Sequence, residues 1–487
     1  MALDNLERAI NVIRDYKQNP PIPPTMLYNE RWLKQFENMI WNFNEGKCSR
    51  ELVIIGGPRR TGKSTILQSI LAQFKTKACY LDVEWSEVQN VLKETSLADL
   101  VLSVKRELGC DIILLDEITA LKKEWNYKVK ELWDRIEQRE KLFIIVAGSV
   151  GVLIEEGYSL LSGRRGFCSI RVDGSKHLNN PAVILPAKFG TFISRELFAY
   201  GILPFKSEER VNDLIGLGTG DDRTIKYYND LDSRLLSILN GDLVRYVGMG
   251  GYPQLRDAAG EKRALRGEIF DSLVKDITYY GLEVEIGRQF LEALRNVTKG
   301  AVMLDTNKLK ERFRFELGRS KEKFNENLYD KARTYFIESY TFTRLTNEAG
   351  KNFPHLEKLC INDPTIFWGL YEDDTDAGNQ NELSTTQGLL FEHLVGSHLM
   401  RLGILPSFYN NGTQDVDYIV RINRTNILIQ AAKSDSEAYD DLKAAKSVAE
   451  ELKLEKPYSV SLIMNADKIA KTYNGMIIPA SLFLALI

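Results

Sequence analysis

The sequence is poor in cysteine, has no long apolar run and carries no excess of charge, and each shortage excludes something. Its five cysteines, Cys48, Cys79, Cys110, Cys168 and Cys360, are odd in number, scattered, and form no C-x-x-C pair. That spacing argues against a disulfide framework and against a zinc site, and it suits a reducing compartment. No apolar stretch approaches the roughly 18 residues that cross a bilayer. The N-terminus, Met1-Ala2-Leu3-Asp4-Asn5-Leu6-Glu7, lacks the basic region and apolar core of a secretion signal. The expectation is a soluble cytoplasmic protein with no membrane partner. The formal net charge is −3, with 27% charged and 44% hydrophobic residues. A global basic coat for nucleic acid is therefore excluded, while a local basic face remains open. A chain of 487 residues has room for about three domains, each with its own core.

Against that ordinary background one stretch stands out, Glu51 to Thr65, ELVIIGGPRRTGKST. An apolar run, Leu52 to Ile55, ends in a glycine-rich bend. Gly57-Pro58-Arg59-Arg60-Thr61-Gly62-Lys63-Ser64 then fits G-x-x-x-x-G-K-[ST] at every fixed position. Gly57 and Gly62 allow a loop of successive inward N–H groups, which wraps nucleotide phosphates at the positive end of the following helix. Lys63 is placed to reach the β- and γ-phosphates, and Ser64 to offer its hydroxyl to Mg²⁺. The helical pattern Thr65-Ile66-Leu67-Gln68-Ser69-Ile70-Leu71 follows at once, so strand, loop and helix come in the order that phosphate binding requires. Residues 57 to 65 are the candidate nucleotide-binding set.

Two further apolar runs end in residues suited to the same site. Cys110-Asp111-Ile112-Ile113-Leu114-Leu115-Asp116-Glu117 reads as a strand buried on both faces that delivers two carboxylates at its C-terminal end. Ligands sit there in open α/β sheets. Asp116 would hold Mg²⁺ and Glu117 would orient and deprotonate the attacking water. Lys141 to Ser149, KLFIIVAGS, is another buried strand. Ser149 either hydrogen-bonds the γ-phosphate or lytic water, or caps a helix. Beyond it, Arg164 and Arg165 in Ser162-Gly163-Arg164-Arg165 are candidates to neutralise γ-phosphate charge in the same or a neighbouring subunit, with Arg59 and Arg60 as rivals. Ala182 to Pro186 reads as the last strand of this sheet, and residues 189 to about 280 as helical.

The order of these features resembles a known family, the archaeal and bacterial AAA-type ATPases of the signal-transducing NTPase branch. The residues that carry the likeness are Asn29-Glu30-Arg31, the GGPRRTGKST loop, Tyr80-Leu81-Asp82, Leu114 to Ile118 (LLDEI), Ala147-Gly148-Ser149, the SGRR run and Gly250-Gly251-Tyr252-Pro253. The resemblance implies an α/β fold in five parts. An N-terminal helix and Pro-rich linker span 1–24. A P-loop core with a parallel sheet spans 25–188, and a helical lid 189–284. A winged helix-turn-helix spans 285–370, and a PD-(D/E)XK nuclease-like α/β domain 371–487. It implies ATP and Mg²⁺ as cofactors, and double-stranded DNA, a protein partner or a second copy as partners.

In the winged region, helix patterns at Ile286 to Asn296, Thr306 to Phe315 and Lys321 to Ile337 precede a strand-like Tyr340 to Leu345. Lys308, Lys310, Arg312 and Arg314 could track a phosphate backbone, although Glu311, Glu316, Glu322 and Glu326 intervene as on a merely solvated face. In a PD-(D/E)XK nuclease, an Asp on one strand and an acid two residues before a Lys on the next hold Mg²⁺ beside the scissile phosphate. Asp417 and Lys433 fit, and Glu392 can join from a helix, but the position two before Lys433 is Ala431, with Gln430 beside it. A weakened or dead nuclease site is the expectation. His393 and His398 are five apart, off one helical face, and read as packing or surface residues.

Overall fold

The computed structural model describes residues 2–21, 30–136, 141–149, 182–183, 207–231, 233–257, 262–298, 303–319, 323–349, 353, 355–371, 380–401, 404, 406–422, 424–432, 434–463, 466 and 468–486. The chain divides into two compact units, Met1–Leu185 with Glu338–Tyr340, and Pro186–Ile337 with Thr341–Ile487.

The first unit is built on a five-stranded parallel sheet. Its strands are β1 (Arg50–Gly56), β2 (Ala78–Asp82), β3 (Ile112–Asp116), β4 (Leu142–Ala147) and β5 (Ala182–Val183), in the order β2-β3-β4-β1-β5. The strands are near-continuous apolar runs because helices cover the sheet. On one face α2 (Glu30–Asn44) contributes Phe36, Ile40 and Phe43, and α3 (Lys63–Gln73) contributes Ile66, Leu67 and Ile70. They pack on Val53, Ile55, Tyr80, Leu114 and Ile145. The N-terminal helix α1 (Ala2–Gln18) ends just before Pro20, as the proline pair requires. After α4 (Ser86–Leu92), α5 (Leu97–Leu108) starts where the Ser96 side chain accepts from the Asp99 amide and stops at the left-handed Gly109. A 3₁₀ turn (Ile118–Glu124) and α6 (Trp125–Arg135) lead into β4. The consequence of the strand order is positional: β4 lies between β1 and β3, so three loops leave neighbouring C-terminal strand ends.

One expectation about cysteine is corrected. Cys79 and Cys110 are joined as a disulfide, with α-carbons 6.1 Å apart. Among the described residues this is the one disulfide, since Cys48 and Cys360 are not joined to another cysteine. The pair forms because parallel β2 and β3 are neighbours, which brings the start of β3 beside β2 across 31 residues of sequence.

The second unit opens with helices α7 (Ser207–Thr219), α8 (Asp222–Asn229), α9 (Ser233–Met249), α10 (Pro253–Asp257) and α11 (Lys262–Lys275). These helices hydrogen-bond to C-terminal elements. The Asn229 amide group exchanges hydrogen bonds with the backbone of Ile469, Asn240 accepts from Ser481, and Trp368 donates its indole N–H to the Val247 carbonyl. Within the Gly250-Gly251-Tyr252-Pro253 turn, Gly250 has φ +79°, and a side chain there would stand 2.0 Å from the Thr365 hydroxyl. The adjacent Gly251 amide donates to buried Asp363 at 2.9 Å. The turn is a packing joint.

Next come α12 (Val284–Thr298), β6 (Met303–Asp305), α13 (Thr306–Arg319), α14 (Glu326–Glu338), β7 (Phe342–Asn347) and β8 (Leu356–Ile361). β8 lies antiparallel between β6 and β7. β7 then pairs in parallel with β9 (Ser407–Asn410) through Thr346–Ser407 and Asn347–Phe408. That joint fuses the three strands to the C-terminal sheet, giving nine strands in one layer. The rest of that layer comprises β10 (Asp415–Ile422), β11 (Thr425–Ala432), β12 (Pro457–Ile463), β13 (Ala470–Lys471) and β14 (Met476–Pro479). Helices α15 (Pro364–Tyr371) and α16 (Gln380–Arg401) precede it in sequence, α17 (Asp435–Glu451) crosses between β11 and β12, and α18 (Ala480–Leu486) ends the chain. No described helix is long and apolar enough to cross a membrane.

Candidate nucleotide site

The loop between β1 and α3 turns on positive φ values at Gly57 (142°) and Gly62 (95°), and also at Arg60 (64°), a conformation that non-glycine residues adopt at a cost. Lys63 opens α3 and is almost fully buried, and its ammonium donates to the Gly57 carbonyl at 2.9 Å and the Pro58 carbonyl at 2.7 Å. Thr61 donates to the same Pro58 oxygen at 2.9 Å. Those two carbonyls are neutral acceptors, and a phosphate oxygen that replaced them would make a stronger, charge-assisted hydrogen bond with the ammonium.

Asp116, at the end of β3, is 1% exposed. Tyr80 donates its hydroxyl to one carboxylate oxygen at 2.6 Å, the Glu117 amide donates to the other at 2.9 Å, and the Ser64 side chain is also hydrogen-bonded to it. Burial, followed by the Glu117 charge, pushes the Asp116 carboxyl up, against the pull of those donors. Asp82 stands opposite Asp116 in the β2–β3 ladder, and burial raises it to about 6. Glu84 is also raised, by burial and then by Glu117, while Arg59 opposes at 3.7 Å. Crowded, partly desolvated carboxylates held by hydroxyls and amides favour a hard divalent cation. The Ser64 hydroxyl and the Asp116 carboxylate, already in contact, are a donor set that fits Mg²⁺.

Glu117 takes φ +46°, a left-handed strain that turns its side chain out of the strand line. Both of its carboxylate oxygens lie 3.0 Å from the hydroxyl of Ser149, which follows β4 and is itself 4% exposed. The Ser149 amide in turn donates to Thr119 at 3.4 Å. Ser149 is thus a hydrogen-bond donor to Glu117, a role beyond the two read from sequence. Arg164 and Arg165 lie outside the described residues.

Sequence reasoning missed the layer behind Asp116. Tyr16 of α1 stacks on Tyr80 with ring centroids 4.8 Å apart and accepts from Gln68 of α3 at 3.0 Å. The N-terminal helix therefore packs behind the hydroxyl that holds Asp116. The only sequence signal was the tyrosine two residues before Asp82.

In the second unit the structure brings Glu392 of α16 and Asp417 of β10 together, and places Lys358 of β8 between them. The Lys358 ammonium lies 2.5 Å from Glu392 and 2.9 Å from Asp417, and donates to the Asp417 carbonyl at 3.1 Å. Burial would lower its pKa, but Asp417 and Glu392 outweigh burial and raise it. Burial and then Asp417 push Glu392 up to about 8, whereas Lys358 and a hydrogen bond from Glu392 hold Asp417 below the usual range despite burial. Gln430 accepts from the Asp417 amide at 2.7 Å and donates to the Asp415 carbonyl at 3.0 Å, so its side chain bridges backbone. Lys433 lies outside the described residues. His393 and His398 are both buried, as packing residues would be. His393 accepts from the Ile361 amide, and burial, then Lys358, lowers it to about 3.

The candidate nucleic-acid residues on α13 are largely engaged with acids and rings. Lys310 is 3.7 Å from Glu326, Arg312 is 2.6 Å from Glu316, and Arg314 lies over the Phe324 ring at 4.6 Å. Lys308 is exposed.

Residues 49–172 match the family model described as "AAA domain". The chain therefore carries an AAA-type ATPase domain, in the α/β parallel-sheet form found in the first unit. No curated protein matches the sequence. Among solved structures, the chain is similar to a Walker-type ATPase of Pyrococcus abyssi, with 14% identity over 72% of this chain and 97% of that one, at a TM-score of 0.31. It is also similar to the Orc1 protein of Aeropyrum pernix in complex with DNA, with 15% identity over 74% and 97%, at 0.31. A replication initiator DnaA bound to AMPPCP and single-stranded DNA gives 14% identity over 62% and 86%, at 0.23. Likeness at that level is not evidence of a shared substrate or partner.

Proposed function

We propose that this chain is an ATP-binding and ATP-hydrolysing AAA-type switch. The observation that carries the reading is the convergence of Lys63, the Ser64–Asp116 contact and the Ser149–Glu117 contact at the C-terminal ends of β1, β3 and β4. Residues 57 to 65 wrap the phosphates with backbone N–H groups. Lys63 exchanges two loop carbonyls for β- and γ-phosphate oxygens, a stronger, charge-assisted pairing. Ser64 and Asp116 would hold Mg²⁺, which would supply positive charge against the negative charge that develops on the phosphates. Glu117 orients the attacking water and takes its proton, and Ser149 sets the position of that carboxylate. Arg164 or Arg165 is assigned the supply of positive charge at the γ-phosphate, from the same or a neighbouring subunit.

The test is ATP turnover by the full chain beside Lys63→Ala and Glu117→Gln. Lys63→Ala is expected to lose nucleotide binding, and Glu117→Gln to bind Mg²⁺-ATP while turnover falls by about 10² or more. Turnover by Glu117→Gln at the unsubstituted rate would remove Glu117 from the mechanism.

A second reading, association with double-stranded DNA, is favoured by one observation. The order α12, β6, α13, α14, β7, β8, with β8 between β6 and β7, suits a winged helix-turn-helix. The C-terminal run of α16, three antiparallel strands and a parallel fourth after a helical crossover suits a nuclease-like fold that has lost its acid beside Lys433. A protein partner or a second copy bound through that fold is the competing reading. ATP turnover stimulated by duplex DNA would favour the first, and indifference to DNA the second.

A further inference from the structure

The Glu392–Asp417 pair is where a nuclease-like fold would hold a divalent metal, and its surroundings do not fit one. A hard divalent ion takes about six oxygen ligands and keeps open positions for water or phosphate. Here the space between the carboxylates is filled by the Lys358 side chain, which is 4% exposed. An ammonium has three N–H donors, and three acceptors surround this one: Glu392 at 2.5 Å, the Asp417 carboxylate at 2.9 Å and the Asp417 carbonyl at 3.1 Å. The face of the Tyr418 ring, 4.5 Å away, adds to the enclosure. The second Asp417 oxygen accepts from the Ala431 amide at 2.9 Å. Gln430, the other candidate ligand, has its amide on the backbone of Asp415 and Asp417. A metal entering this place would leave a buried ammonium without its counter-charges, which is costly.

We propose that Lys358 is a built-in cation standing where a divalent metal would otherwise sit between Glu392 and Asp417, so that this fold holds no metal there and cuts no nucleic acid. The site is closed by the chain itself. Lys358 reaches it from β8, and β8 belongs to the same sheet as β10 because β7 joins β9. The inference is independent of nucleotide binding by the first unit.

The experiment counts bound Mn²⁺ by the loss of its free EPR signal, on nucleotide-free full chain carrying Asp116→Asn so that the other candidate metal site is removed. With Lys358 in place no Mn²⁺ site is expected. Adding Lys358→Ala is expected to create one, and adding Asp417→Asn to abolish it again. A Mn²⁺ site already present with Lys358 intact, or none gained in a folded Lys358→Ala chain, overturns the proposal. Should Lys358→Ala fail to fold, the chain with Lys358 decides: an unchanged Tm in EDTA and in Mn²⁺, together with intact supercoiled DNA, supports the proposal. Metal-dependent nicking lost with Asp417→Asn overturns it, and so does a rise in Tm with Mn²⁺.

Discussion

At the scale of single residues, the candidate nucleotide site turns on how a buried carboxylate is kept ready for a metal. Asp116 is desolvated and repelled by Glu117, both of which favour its protonated form, and it is kept in balance by donors, Tyr80 foremost in the structure at 2.6 Å. Deleting that hydroxyl removes a hydrogen bond to a charged acceptor, an effect of about 1.5–3 kcal/mol. The sign follows from linkage: with one donor fewer, the carboxyl of Asp116 rises further, and protons compete more strongly with Mg²⁺ for it. Tyr80→Phe is therefore expected to raise the Mg²⁺ concentration for half-maximal ATP turnover roughly tenfold. The gap from the unsubstituted chain should widen as pH falls from about 8 to about 6. Magnesium titrations at several pH values check this. A gap that is constant across pH would mean that Tyr80 acts on packing alone.

At the scale of elements, what was legible in the sequence is what a short run of residues encodes by itself. The loop from Gly57 to Ser64, the apolar run into Asp116-Glu117 and the run into Ser149 are each a strand plus its exit, and each strand was legible from its own residues. The contacts between those runs were not legible. Ser149 reaching Glu117, Tyr80 reaching Asp116 and Cys79 reaching Cys110 all depend on strand order, and no spacing in the sequence states that β4 lies between β1 and β3. Lys358 was invisible for the same reason, since it approaches Asp417 from a strand 59 residues away. The basic pattern of α13 was legible, but its neutralisation was not. Glu326 takes Lys310 in an exposed pair worth about 0–1 kcal/mol, little enough for a phosphate to displace, whereas Arg312 is paired with Glu316, whose side chain is 5% exposed. If α13 tracks a DNA backbone, replacing Lys308, Lys310 and Arg312 by Gln removes three phosphate contacts. Duplex affinity should then fall uniformly across sequences, and the slope of log K against log salt should shrink by about 2–3. Unchanged affinity at moderate salt would leave α13 a solvated face and favour a protein partner.

At the scale of the whole molecule, the question is whether turnover in the first unit is read out anywhere else. A ligand shifts a conformational equilibrium only by its differential affinity for the two states, so a switch must show two patterns of protection, one with ATP and one with ADP. The local part is fixed by chemistry: bound Mg²⁺-ATP stabilises whatever conformation binds it, by about 2.7 kcal/mol at a hundredfold excess over Kd. Amide exchange should slow in residues 56–70 and 112–119, where loop N–H groups and the Asp116–Glu117 turn meet the phosphates. The switch reading requires more. With Glu117→Gln holding ATP unhydrolysed, amide exchange within residues 207–487 should differ between the ATP-bound and ADP-bound chain, most visibly in the helices from Ser207 to Asp257 that precede the nine-stranded sheet. Exchange differences confined to residues 50–149 would leave an ATP-hydrolysing domain with no switch attached, and the second unit would then need a function independent of nucleotide.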